Sequence, residues 1–240
     1  MTPRPHARTR RAAAIFLLAI AGIGSLAGCD PRTLFYFLQP YEPTIPPPTD
    51  APSLKGKKVV IVATSATGTQ HEFLSLDRDL VREFSQILKT KIKNIEIVNP
   101  DSVWDWVEGH PNWTNPGEIA EKFEADFAIY LEVDEFQIQA PGDLNVLHGT
   151  SKIHIRAYER AYPKNSKGKA LTDQPKESQD VYDDYQDTEF PKRGPISSDS
   201  GTSRGRFKTV FLKVVAAEAS WHFVEHSPED TIEQEKFSNR

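Results

Sequence analysis

The chain has 240 residues, with 29 basic and 34 acidic side chains and a formal net charge of −5. So acidic a chain is not built to condense on nucleic acid or anionic lipid, both of which reward Lys/Arg patches. Its single cysteine, Cys29, excludes an intrachain disulfide, so stability must come from an ordinary apolar core.

Arg4, Arg8, Arg10 and Arg11 precede an apolar stretch, Ala12 to Gly24, and Leu26-Ala27-Gly28-Cys29 follows it. A charged start, a short apolar core and small residues at a cut site make a secretory signal. The stretch is well short of the roughly 20 residues that span a bilayer. Leu-Ala-Gly-Cys resembles the lipobox of bacterial lipoproteins. The resemblance implies cleavage after residue 28 and lipidation of Cys29, with palmitate among the acyl groups. It also implies an anchor in the inner or outer membrane of a bacterial envelope, with the domain outside the cytoplasm. From Cys29 onward the chain has 25 basic and 34 acidic residues, a net charge of −9. No second apolar stretch is long enough to cross a membrane, so an anchored protein is expected.

Residues 29–56 read as the lipidated cysteine and a proline-rich tether. Pro31, Pro40, Pro43, Pro46, Pro47, Pro48 and Pro52 remove backbone donors and fix φ, which suits a semi-rigid spacer. Within it, Leu34-Phe35-Tyr36-Phe37-Leu38 is an apolar patch with two destinations open: a partner or bilayer interface, or the domain itself.

Residues 57–226 read as one α/β domain. Lys57–Thr64 is β-branched and continuously apolar, as a buried strand requires. A small-residue loop, Ser65 to Gln70, follows. Ser75 is placed to cap a helix whose Leu76, Leu80, Val81, Phe84, Ile87, Leu88 and Ile92 form one apolar face. Asn94 ends it, and Ile95–Val98 is a short strand stopped by Asn99-Pro100. This unit predicts a parallel pair with a right-handed crossover. Asp101 is placed to cap a helix with Val103, Trp104, Trp106 and Val107. A second short helix is expected over 117–124. Two long strands follow, 127–138 and 149–162, paired as an antiparallel hairpin. Lys164–Gln179 is a polar loop, 181–190 an edge strand, and 191–203 a loop. Arg206–His226 is a long helix with Phe207, Val210, Phe211, Val214, Val215, Trp221 and Val224 on one side. Residues 227–240 form a charged tail. The expected architecture is a mixed sheet of about five strands packed by two long helices.

Strand 59–64, helix 75–93, Ile97-Val98-Asn99-Pro100 and Phe123-Glu124-Ala125-Asp126-Phe127-Ala128-Ile129-Tyr130 together resemble a recurring envelope-lipoprotein domain. It is similar to the α/β domain of the curli-secretion lipoprotein family and to the N-terminal domain of the Tol-system propeller protein. In those a helix ends in Gly-Ala-Asp before a long strand; here Glu124 stands where the glycine usually sits.

No nucleotide-binding glycine pattern and no nucleophile elbow appears. Thr64, Ser65, Thr67 and His71 follow a buried strand, where ligands of open α/β sheets bind. They are candidate contacts for a small ligand or glycan, with a plain connector as the alternative. Ser65 with His71 is a third, hydrolytic possibility that lacks an orienting acid. Trp104, Trp106 and Trp113 lie close in a Gly/Pro-rich segment, as a binding surface or as a lid over the sheet edge. His148 with His154 does not by itself define a metal site. Asp180, Asp183, Asp184 and Asp187 lack the spacing of a calcium loop. No metal or cofactor is expected. The expected role is a non-enzymatic, membrane-anchored accessory or assembly subunit with a protein partner and no nucleic acid; the alternative is a small-ligand or glycan binder.

Overall fold

The computed structural model describes residues 43–163, 168, 170–174, 176–197 and 203–228. Cys29, the signal, the Leu34–Leu38 patch and most of the tail lie outside the described residues.

Strand β1 (Lys58–Ser65) is buried along nearly its whole length. The expected loop after it is instead a short helix, α1 (Thr67–Glu72). Backbone bonds from Gln70 to the Ala66 carbonyl and from Phe73 to the Thr69 carbonyl close its turns. Phe73 then anchors it, 7 % exposed and edge-on to Phe136 at 5.2 Å. Tertiary burial of one aromatic thus overrides a weak local preference.

Helix α2 (Leu76–Lys91) buries Leu76, Leu80, Val81, Phe84 and Leu88, with Asp77 and Asp79 in its first turn and Lys89 and Lys91 in its last, matching its dipole. Ser75 precedes it as expected, but its hydroxyl donates to the Asp79 carboxylate at 2.6 Å rather than accepting a backbone bond. Asn94 turns the chain with φ of 59°, which asparagine tolerates better than most residues. Strand β2 (Glu96–Ile97) follows. Helix α3 (Pro100–Gly109) is capped by Asn99, whose side chain accepts from the Asp101 N–H at 3.1 Å. The cap falls two residues before the expected Asp101 because Pro100 occupies the first helical position, where its missing donor costs nothing. Asn115 caps α4 (Pro116–Lys122) in the same way. Glu124 holds φ of 51°, a left-handed conformation that glycine adopts freely.

The remaining elements are β3 (Phe127–Ala140), β4 (Asp143–Ala161), β5 (Glu177–Phe190), β6 (Ile196–Ser197) and α5 (Arg204–Ser220). The sheet runs β2-β1-β3-β4-β5, with β6 alongside β4. Strand β1 is parallel to both β2 and β3, while β3, β4 and β5 are antiparallel. This is the expected mixed α/β sheet under two long helices, with one strand more: residues 196–197, in the span expected as loop, pair with Val146 and Leu147. Helix α5 stops at Ser220, short of residue 226, and Phe223 and Val224 fold back on the Ser220 carbonyl.

One sheet face carries the main core. Val59, Ile61, Ala63, Ile129, Leu131, Val133, Ile153 and Ile155 meet Leu80, Phe84 and Leu88 of α2 and Phe207, Phe211 and Val215 of α5. The other face carries a smaller cluster, Val60, Val62, Val103, Ile119, Ala120, Ala128 and Tyr130, under α3 and α4.

The segment before β1 is part of the domain. Ile45 and His226 exchange two backbone bonds, at 2.8 and 3.1 Å. Leu54 is 2 % exposed within the main core, with Ala51 packed against it. Beside these residues a groove of about 560 Å³ runs between Pro47, Pro52, Ile92, Phe223 and Val224.

Candidate functional site

Strand parity organises the site. Thr64, Glu132, His154 and Tyr185 are successive partners across β1, β3, β4 and β5, and Tyr130, Arg156 and Asp183 form the next row. All point to the face that α3 and α4 cover only at one end. Past those helices the face is open, and its side chains hold one another.

The ladder begins under the helices. Trp113 packs edge-on against Tyr130 at 5.8 Å. The hydroxyls of Tyr130 and Thr64 share a hydrogen bond of 2.6 Å. Burial pushes the Tyr130 phenol up, and Glu132 adds to this, so it stays neutral and can donate. The Arg156 guanidinium lies 4.9 Å over the Tyr130 ring and donates to Glu132 at 2.8 Å. His154 sits between two carboxylates, with Nε2 2.6 Å from Asp183 and Nδ1 3.7 Å from Glu132. It stacks on Tyr185 at 4.2 Å, and the Lys152 ammonium lies 5.0 Å from the centre of the same tyrosine ring. Tyr185 is 48 % exposed. A guanidinium, an imidazole and two aromatic rings are thus fixed by cross-strand contacts on rigid strands, where little side-chain entropy remains to be lost on binding.

The sequence-predicted residues fall around this ladder. Thr64 belongs to it. Ser65 is 9 % exposed at the carboxyl end of β1, and its hydroxyl makes no hydrogen bond among the described residues. Exposed His71, on α1, is therefore not bonded to it, and exposed Thr67 opens that helix. The tryptophans do not converge. Trp104 lies 5.0 Å from the Arg78 guanidinium and donates to Glu108. Trp106 stacks on His110 at 4.4 Å and, with Trp113, packs against the smaller core. A cavity of about 20 Å³ beside Trp104, lined by Val62, Arg78 and Val103, has room for about one water. Among the described residues no group of three His, Cys, Asp or Glu side chains could hold a metal ion, and no helix is long and apolar enough to cross a membrane.

Sequence reasoning missed Tyr130, Glu132, Lys152, Arg156 and Tyr185 as site residues, and weighed His154 and Asp183 as metal ligands against a satisfied or solvated histidine and a solvated edge. The available signal was parity: 130 and 132, then 152, 154 and 156 are polar or aromatic at alternate positions between buried neighbours, and 183 and 185 continue the row on β5. Knowing which strands adjoin was needed to use it.

Asp77, 7 % exposed beside Ser65, is a second unusual group, with one carboxylate oxygen unbonded among the described residues. Burial pushes its carboxyl up, against weaker opposing polar influences of Ser65 and Gln70. A carboxyl raised in the folded state penalises folding at any pH above its folded value, and the penalty vanishes below its unfolded value near 3.9. Asp77→Asn is therefore expected to melt above the wild type at pH 7. Thermal melts from pH 7 to pH 3 should show the gap closing; a lower melting point for the variant at pH 7 would refute this.

No protein-family model matches the chain, and no curated protein matches it. The fold is similar to that of several solved structures. The PelC dodecamer from Paraburkholderia phytofirmans is 13 % identical with a TM-score of 0.39, over 75 % of this chain and 94 % of that one. The lipoprotein GNA1162 from Neisseria meningitidis is 10 % identical with a TM-score of 0.38, over 69 % and 97 %. The hypothetical protein CT253 from Chlamydia trachomatis is 13 % identical with a TM-score of 0.36, over 70 % and 98 %.

Proposed function

We propose that this chain is a lipid-anchored protein of a bacterial envelope whose domain binds a protein partner, as a non-enzymatic accessory or assembly subunit. The observation that carries the proposal is the open sheet face, where Arg156, Glu132, His154, Asp183 and Tyr185 are locked to one another with their outer surfaces free. Tyr and Arg in such settings dominate the energetics of protein interfaces. The anchor rests on the Arg-rich start, the apolar core and the Leu26–Cys29 exit. The strap 44–54 enters at the start of β1, and the ladder lies level with Thr64, six residues further along β1, or about 20 Å.

The test is affinity purification from gently solubilised envelopes, comparing wild type, Cys29→Ala and the double change Tyr185→Ala with Arg156→Ala. Both altered side chains are partly exposed, so the fold should persist, and a melt checks that. The expected outcome is a diacylglyceryl mass on Cys29 and a stoichiometric partner, depleted about tenfold or more by the double change, as for loss of one hot spot. A partner set untouched by the double change, or none at native abundance, removes the protein-binding role. An unmodified Cys29 removes the anchor.

A further inference from the structure

The open face ends at an open edge. Strand β5 is last in the sheet order, bonded to β4 along its length, and among the described residues no element pairs with its other side. Fourteen residues make this edge about 46 Å long. Exposed edges are normally blunted by shortness, proline, lysine or a covering element. The opposite edge obeys that rule, since β2 has only two residues. Strand β5 is long and contains neither proline nor lysine. It carries Glu177, Asp180, Asp183, Asp184, Asp187 and Glu189, all exposed, and no basic residue. Asp183 is taken up by His154, Asp184 by Tyr182 and His222, and Glu189 by His148 at 3.5 Å. Among the described residues Glu177, Asp180 and Asp187 make no ion pair within 4 Å, although Lys152 lies opposite Asp187 on β4.

We propose that the outer edge of β5 accepts a basic, extended polypeptide segment that joins the sheet as an additional strand. The proposal deepens, and rests on, the protein-binding role of the adjoining face. Charge decides between occupants. A second copy pairing through the same edge would set six carboxylates against six, and like charges across strands repel. A neutral strand would leave the carboxylates uncompensated. A segment with Lys or Arg at alternate positions pairs with the edge through its backbone, in competition with the Asp184 carboxylate at the Tyr185 N–H and the Gln186 amide at the Asp187 carbonyl, and meets the carboxylates with its side chains, which is strand addition with a charge code. The residues facing the open side, Asp183, Tyr185, Asp187 and Glu189, then make the added strand continuous with the ladder.

The experiment is amide hydrogen exchange across 177–190 in the full chain in mild detergent. The probes are a short synthetic peptide alternating lysine and threonine, the same peptide N-methylated at its threonines, and its glutamate counterpart. The lysine peptide is expected to slow exchange on β5 about tenfold or more, and the other two to leave it unchanged. Asp180→Asn with Asp187→Asn should weaken the lysine peptide severalfold and flatten its salt dependence. Protection by the N-methylated peptide equal to that by its parent would mean charge attraction without strand pairing, and overturns the proposal. Unchanged exchange with every peptide overturns it too, even if envelope purification still recovers a partner. Recovery of no partner instead overturns the protein-binding role, whatever the peptides do.

Discussion

Phe211→Ala is expected to destabilise the domain by about 3–5 kcal/mol, the range for deleting a buried aromatic. The ring is fully buried and touches three elements besides its own helix. It lies 5.0 Å from Phe136 on β3 and 6.4 Å from Phe190 on β5, with Phe207 one turn back on α5 at 6.3 Å. On β4, Gly149 leaves the space the ring fills: a Cβ there would stand 2.7 Å from it. Deletion therefore leaves a void that Gly149 has no side chain to fill, and the three strands are held apart by their own pairing. Limited collapse puts the cost at the upper part of the range. Denaturant unfolding should show a large fall in midpoint with an unchanged slope. A loss under about 1 kcal/mol would mean that the aromatic cluster is not what fastens α5 to the sheet.

Leu54→Ala is expected to cost about 2–4 kcal/mol, as for a buried leucine elsewhere, although it lies in a proline-rich segment that reads as a spacer. Leu54 is 2 % exposed and belongs to the main core, and the nearby Ile45–His226 pairing pins the segment to the residues that follow α5. A spacer residue would tolerate the change within about half a kcal/mol, so one melt separates the two cases. Removal of everything before Thr44 is the control: a compact unit begins at Thr44, and the domain should keep its midpoint. Loss of stability on that deletion, or none in Leu54→Ala, would show that the strap does not belong to the fold.

Much of the fold was legible because periodicity survives in single elements. The apolar run Val59–Val62, the helical face from Leu76 to Leu88 and the alternation through Leu131, Val133, Phe136 and Ile138 each report local geometry, and each became the predicted element. Errors arose where a distant contact outvoted local preference. Helix α1 exists because Phe73 finds Phe136, and β6 because Ile196 and Ser197 lie beside β4. Neither contact leaves a trace in neighbouring residues.

The site was hidden for a related reason. His154 is an unremarkable strand residue until β3 and β5 bring Glu132 and Asp183 to its two nitrogens. The chain of contacts from buried Tyr182 and His222 through Gln186 to buried Glu218 and exposed Lys192 likewise joins β5, α5 and the turns beyond them. In it, burial holds His222 below its usual value and, with Asp184, keeps the Tyr182 phenol protonated. By itself the sequence determined most of the elements, their inward faces and the parallel start of the sheet, because these depend on spacing along the chain. Only the tertiary structure set β3 beside β1 and β5 beside β4, and with them the polar ladder, the acidic edge of β5 and the strap that enters the core, because such pairing joins residues that no local pattern relates.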